Sequence, residues 1–221
     1  MQHLRTAGPL ALVILLSMAM LAGCSSLPWR AAALPELPLL PPAELGQQWQ
    51  LTQSVTLTPL RPVSGQVPQT LLAAWSVNRE HLHLAGLTPA GQTLLTLSYD
   101  GNTLSSQISP LLPPEVSPRD ILVQLQLSYW PLDSITRALA GTPWHMRQQG
   151  EVRELWLQQR RVLTIHRSAD TTLGHSDSGA LESISLTHHL MQYQLQIHTL
   201  SREAIDSVDH PDTSAALSRK P

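Results

Sequence analysis

Six consecutive residues, Gly174-His175-Ser176-Asp177-Ser178-Gly179, bring together a base, a hydroxyl nucleophile and an acid, the types that hydrolytic triads combine. Adjacent side chains on one loop do not face one another as a triad must. The G-x-S-x-G spacing also fails, because Ser178 takes its last position. A solvated loop is the better reading. His81 and His83 share one face of an alternating segment, and His188-His189 lies near a turn, so a surface metal site is compatible with the spacing. No carboxylate pattern accompanies them, and ordinary surface histidines fit as well. Asp133 and Arg137 are an i, i+4 pair, worth little on an exposed helix. No reaction is specified by these groups, so the chain is expected not to be an enzyme and to need no cofactor or metal.

The remaining reactive side chain is the single cysteine, Cys24, which excludes an intramolecular disulfide or a thiolate cluster. Met1 to Arg5 carries one positive side chain, Pro9 to Ala22 is an apolar run too short for a bilayer span, and Leu21-Ala22-Gly23-Cys24 closes it. This closely resembles the lipobox of bacterial lipoproteins. The resemblance implies a signal peptide over 1–23, removal of it, and lipidation of Cys24 as the new N-terminus. Several acyl tails at about 0.8 kcal/mol per buried CH₂ would anchor the chain durably. Ser25, directly after the cysteine, implies sorting to the outer membrane, where the chain would face the periplasm.

The elements that position these groups follow from composition and pattern. The chain has 221 residues, 42 % hydrophobic and 14 % charged, with no Phe and a net charge of −2. It is too apolar for disorder and too little basic for a nucleic-acid partner. Residues 24–46 hold Pro28, Pro35, Pro38, Pro41 and Pro42, which favour an extended spacer between anchor and domain. Alternation starts at Trp49, with Trp49, Leu51, Val55 and Leu57 on one side, interrupted only by Gln53. Further strands are expected over Leu71–Val77, Leu82–Gly86, Thr93–Tyr99 and up to Ile108, separated by Thr88-Pro89-Ala90-Gly91 and Asp100-Gly101-Asn102 turns. Ser117 is a fitting N-cap and Pro118 a fitting first residue for a helix to Tyr129, with Ile121, Leu122, Leu125 and Tyr129 on one face. Trp130-Pro131 breaks it. A second short helix puts Leu132, Ile135, Ala138 and Leu139 inward and stops at Gly141. Strands resume over 151–157, 161–167, 181–187 and 192–200, and residues 201–221 read as a disordered tail.

About nine antiparallel strands with two short helices make a mainly β fold: one open, curved antiparallel barrel over 47–200 whose concave face is covered by a helical lid at 117–140. Trp49, Trp75 and Trp130 are placed to line an apolar cavity, though a filled core fits the pattern equally well. The order of lipobox, spacer, meander, helical insert and meander resembles the LolA/LolB lipoprotein-carrier family. Leu87-Thr88-Pro89-Ala90-Gly91-Gln92-Thr93 is similar to that family's strand-turn-strand segment. Asp120 to Leu132 looks closer to uncharacterised lipoproteins found beside aryl-polyene and fatty-acid-synthase-like gene clusters.

The resemblance implies a carrier of acylated or lipid-like cargo, working with the membrane and a periplasmic carrier protein. The ligand candidates are Trp49, Trp75, Tyr99, Ile121, Leu125, Tyr129, Trp130, Leu132, Ile135 and Leu139. Leu87 and Ala90 mark the loop that would meet membrane or cargo. Where the lipoprotein receptor of that family projects a leucine, this chain has Ala90, so a specialised relative serving one pathway is expected rather than a general receptor. The alternative is a structural or assembly lipoprotein that binds a protein partner.

Overall fold

Period-two alternation forms ten strands in the computed structural model, which describes residues 34–62, 67–114, 116–170 and 181–205. The strands are β1 (Trp49–Pro59), β2 (Gln69–Val77), β3 (Leu82–Leu87), β4 (Thr93–Tyr99) and β5 (Leu104–Ile108), then β6 (Trp144–Gln149), β7 (Val152–Leu157), β8 (Arg160–Asp170), β9 (Leu181–His188) and β10 (Tyr193–Ala204). Between β5 and β6 lie two helices, α1 (Pro118–Tyr129) and α2 (Leu132–Leu139). The chain divides into two compact units, Met1–Glu36 and Leu37–Pro221, and the strands and helices of the described residues belong to the second.

All strands form one antiparallel sheet in the order β5-β4-β3-β2-β1-β10-β9-β8-β7-β6. Each half is a meander built from neighbours, and the halves join only where β1 pairs with β10, from Trp49↔Ala204 to Pro59↔Tyr193. The two ends, β5 and β6, do not pair, so the barrel is open. The helical insert carries the chain from one open edge to the other across the inner face. There Leu51, Leu82, Leu155, Ile165, Ile184 and Leu186 are at most 1 % exposed. Each such burial is worth roughly 1.5–3 kcal/mol, and this, rather than strand propensity, fixes which face turns inward.

The helices start and stop where local chemistry requires. Ser117 Oγ accepts from the Asp120 N–H at 3.2 Å and Pro118 opens α1. Pro131 disfavours helical geometry at Trp130, and Gly141, at φ +77°, takes the left-handed conformation after α2. The buried face of α1 is rotated from the expected one: Leu122, Val123, Gln126 and Leu127 are buried, while Ile121 and Leu125 are half-buried beside the core. The cause is Gln126, whose amide accepts from Leu40 N at 3.0 Å and donates to Leu40 O at 2.6 Å. An extended proline-rich backbone has no ladder to satisfy it, and this side chain supplies both partners.

Three expectations change. The folded unit begins at Leu37, not at 47: Leu40 and Leu45 are buried, and Trp130 Nε1 donates to Pro41 O at 3.2 Å. The end of the proline-rich stretch is thus a strap over the helices, with a short 3₁₀ turn at Pro42–Leu45. The strand missing from the sequence reading is β6, in which only Trp144 and Met146 are buried and Arg147, Gln148 and Gln149 are exposed. At the other end β10 continues past 200 to Ala204.

Candidate ligand-binding site

Trp49, Trp75 and Tyr129 meet between β1, β2 and the end of α1, all edge to face, with ring centroids 5.0 to 6.3 Å apart. Gln53 ties them together. Its Oε1 accepts from Trp75 Nε1 at 2.9 Å, and its Nε2 donates to Tyr129 Oη at 2.5 Å and to Thr199 Oγ1 at 3.2 Å. Burial, the largest influence, pushes the Tyr129 hydroxyl up to about 12, so it stays neutral. The residue that breaks the alternation of β1 is therefore the polar hub of the interior.

Of the other candidates, Trp130, Ile135 and Leu139 are buried, and Leu132 is half-buried against the core. Tyr99 stands apart from the ring cluster, buried at the end of β4, where its hydroxyl donates to Gly101 O at 2.9 Å. Leu87 is half-buried and Ala90 exposed at the β3–β4 turn. The rings meant to line a space thus pack on one another. Two hollows, of about 600 Å³ and 590 Å³, are present among the described residues. The first is on the outer side of β2 to β5, lined by Ser76, His83, Thr96, Ser98 and Ser105 and bordered by Trp75. The second lies among Pro42, Gly46, Gln47, Asn78, Arg79 and Ile205.

Charged side chains that the sequence reading did not single out lie on the inner face. Arg153 is 6 % exposed, and its guanidinium donates to Leu127 O at 3.0 Å, Trp130 O at 2.8 Å and Gln148 Oε1 at 2.9 Å. It caps the carbonyls at the end of α1 and fastens that end to β7. Burial first, and Arg167 second, bring it down to about 10. Arg167 pairs with Glu182 at 2.5 Å, reaches Ser128 O at 3.2 Å, and stands 5.8 Å from the Tyr129 ring centre. Arg202 stacks over Trp49 at 3.6 Å and donates to Gln47 Oε1 at 3.2 Å. Such a stacked cation is worth roughly 0.5–2 kcal/mol. The signal was present in the sequence: Arg153 is in phase with Leu155, and Arg167 with Leu163 and Ile165.

The opposite end of the sheet is apolar. Of eight large hydrophobic side chains exposed among the described residues, five (Leu60, Val67, Ile108, Leu111 and Met191) sit where β1, β2, β5, β9 and β10 have their ends beside the β3–β4 turn. Leu60 N donates to Gln192 O at 2.8 Å, which holds two of these tips side by side.

Histidines 81 and 83 stack at 5.9 Å, His188 lies 5.2 Å from Tyr193, and His189 Nε2 bonds Thr164 Oγ1 at 2.8 Å. Among the described residues no three His, Cys, Asp or Glu side chains gather as a metal group would. Arg137 pairs with Glu44 of the strap at 3.1 Å rather than with Asp133. Residues 174–179, Cys24 and Ser25 lie outside the described residues.

The model of a family described as "Protein of unknown function (DUF3261)" matches residues 50–201. Among curated proteins nothing matches. Among solved structures, the crystal structure of a LolA superfamily protein from Nitrosomonas europaea is similar, with 11 % identity and a TM-score of 0.39, over 72 % of this chain and 87 % of that one.

Proposed function

From the premise that the chain belongs to the DUF3261 family, whose description assigns no activity, we propose that it binds an apolar, acyl or lipid-like cargo without chemical conversion. In this reading the lipid on Cys24 anchors it to the periplasmic face of the outer membrane, Ser25 directs it there, and cargo is exchanged with the membrane or a periplasmic carrier. A product of an aryl-polyene pathway is the specific cargo we favour.

The supporting observation is the set of exposed apolar side chains Leu60, Val67, Ile108, Leu111 and Met191 at one end of an open sheet whose inner face buries Leu51, Leu82, Leu155, Ile165, Ile184 and Leu186. Exposed apolar side chains gathered at one sheet end mark contact with lipid, ligand or partner. Leu87 and Ala90 belong to the same end, so the rim takes the place of the single leucine that Ala90 lacks. The interior is occupied by Trp49, Trp75 and Tyr129, so cargo enters by displacing α1 and α2, whose removal uncovers the faces of Leu122, Leu127 and Ile135. A filled interior also favours the second reading, in which the rim docks a protein partner of the envelope.

Native mass spectrometry of the full chain, released gently from membranes of a host that makes candidate lipids, tests the choice. A non-covalent apolar mass that departs on denaturation supports cargo binding. A chain carrying only its covalent lipid, unchanged after addition of fatty acids or lipopeptides, supports the protein-docking reading. The anchor is tested separately: Cys24→Ala abolishes palmitate incorporation and moves the protein from membrane to soluble fraction, and continued labelling of that variant would refute it.

A further inference from the structure

At the end of the sheet opposite the apolar rim, the inner face carries Arg153, Arg167 and Arg202 against one carboxylate, Glu182, a formal charge of +2 over these four groups. Their commitments differ. Arg153 is spent on backbone carbonyls and Gln148. Arg167 shares its charge with Glu182 but keeps 31 % of its side chain exposed. Arg202 is exposed, neighbours Glu182 without an ion pair among the described residues, and uses one of its nitrogens on Gln47. A guanidinium has five N–H donors in a fixed fork, the geometry that matches an oxyanion.

Two further features sit with Arg202. The indole it covers, Trp49, is 7 % exposed, and its Nε1 donor is buried with no hydrogen-bond partner among the described residues. A buried N–H without an acceptor is rare and needs a reason. Gln47, the partner of Arg202, also lines the 590 Å³ hollow, together with Gln48, Asn78 and a further cation, Arg79. Gln47 thus joins the cation stacked on Trp49 to the wall of this hollow, which Trp49, Arg167 and Arg202 do not themselves line.

We infer that this corner holds the oxyanion head group, carboxylate or phosphate, of an amphipathic ligand, with Arg202 as its principal partner and Arg167 as a second. The inference deepens the cargo reading and rests on it: the tail lies against the apolar inner face and the head is held by the guanidinium groups. Because bond formation here is charge-assisted, head-group charge rather than chain length sets selectivity.

The test is binding of palmitate, hexadecyl phosphate and uncharged hexadecanol to the full chain in mild detergent, for wild type, Arg202→Gln, Arg202→Lys and Arg167→Gln. The expected result is at least about tenfold tighter binding of one or both anions than of the alcohol, the worth of one charge-assisted contact. Arg202→Gln removes most of that advantage without weakening the alcohol, and Arg202→Lys keeps part of it. The arm that gains more, carboxylate or phosphate, identifies the head group. Equal binding of all three amphiphiles, or an anion advantage untouched in both glutamine variants, overturns the head-group inference while leaving the cargo reading intact. Binding of none of them overturns the cargo reading and this inference together. Unchanged circular dichroism and melting temperature of the variants confirm that a lost advantage is not a lost fold.

Discussion

Replacing Arg153 by methionine keeps an unbranched, apolar stem in place and deletes the guanidinium that joins α1 to the sheet. Four hydrogen bonds go with it, three of them to carbonyls at the end of α1, of which those to Leu127 O and Trp130 O, at 3.0 and 2.8 Å, are the two short ones. Bonds to a charged donor contribute about 1.5–3 kcal/mol each, which for the two carbonyls gives about 3–6 kcal/mol. Part is returned, because the native site holds this cation in surroundings that disfavour its charge, as its fall to about 10 shows. The expected net loss is therefore about 2–4 kcal/mol. The loss should be concentrated in the helices. Hydrogen exchange read by mass spectrometry is expected to speed up by about two orders of magnitude over 118–139, with smaller changes in β1 to β4. Urea unfolding followed by tryptophan fluorescence reads the global share. A loss under about 0.5 kcal/mol with unchanged exchange over 118–139 would refute the role of Arg153 as the fastening of the helix pair.

Gln53→Leu strands the Trp75 N–H, the Tyr129 hydroxyl and the Thr199 hydroxyl at once, and the expected cost is about 2–4 kcal/mol in urea unfolding, far more than for an exposed Gln to Leu change. Gln126→Leu frees the strap at Leu40 and should make 37–45 a site of limited proteolysis while leaving the sheet intact; resistance equal to wild type would count against the strap. Burial, opposed by the Asp120 carboxylate and reinforced by His189, sets the His188 imidazole below the usual histidine value, and its Nδ1 accepts from Met191 N at 3.1 Å. The unfolded chain then binds that proton more tightly, so the His188 contribution is complete above about pH 6.5 and declines as pH falls from there towards the lowered folded value. The urea midpoint should drop between pH 7.5 and 5, and His188→Gln should lessen the drop; an equal drop in both proteins would contradict the assignment.

Much of the architecture was legible because it rests on local rules. Ser117, Pro118, Trp130-Pro131 and Gly141 mark the helix ends through capping and backbone sterics, which act within a few residues. Alternation located nine strands. β6 escaped because an edge strand needs few inward apolar residues, and its Arg147-Gln148-Gln149 half reads as loop. The strap escaped for a different reason: prolines forbid helix and ladder but do not forbid burial, and the partner of Leu40 is a side chain 86 positions away. Gln53 was visible as a break in the pattern, yet its meaning depended on Tyr129 and Thr199, which no local rule connects to it. Arg153 and Arg167 stood in apolar phase, and an arginine in such a phase implies buried carbonyls or anions to meet it.

The seam between β1 and β10 joins strands from opposite ends of the domain, with Trp49 opposite Ala204. Each meander can form from contacts between neighbours, but the seam closes a loop that contains nearly the whole domain, and such long-range pairing is the slow step of folding. Until Tyr193 to Ala204 is available, β1 and β9 are both bare edges, which pair with other chains as readily as with their own. The same property predicts that truncation before Tyr193 yields aggregates rather than a smaller soluble domain.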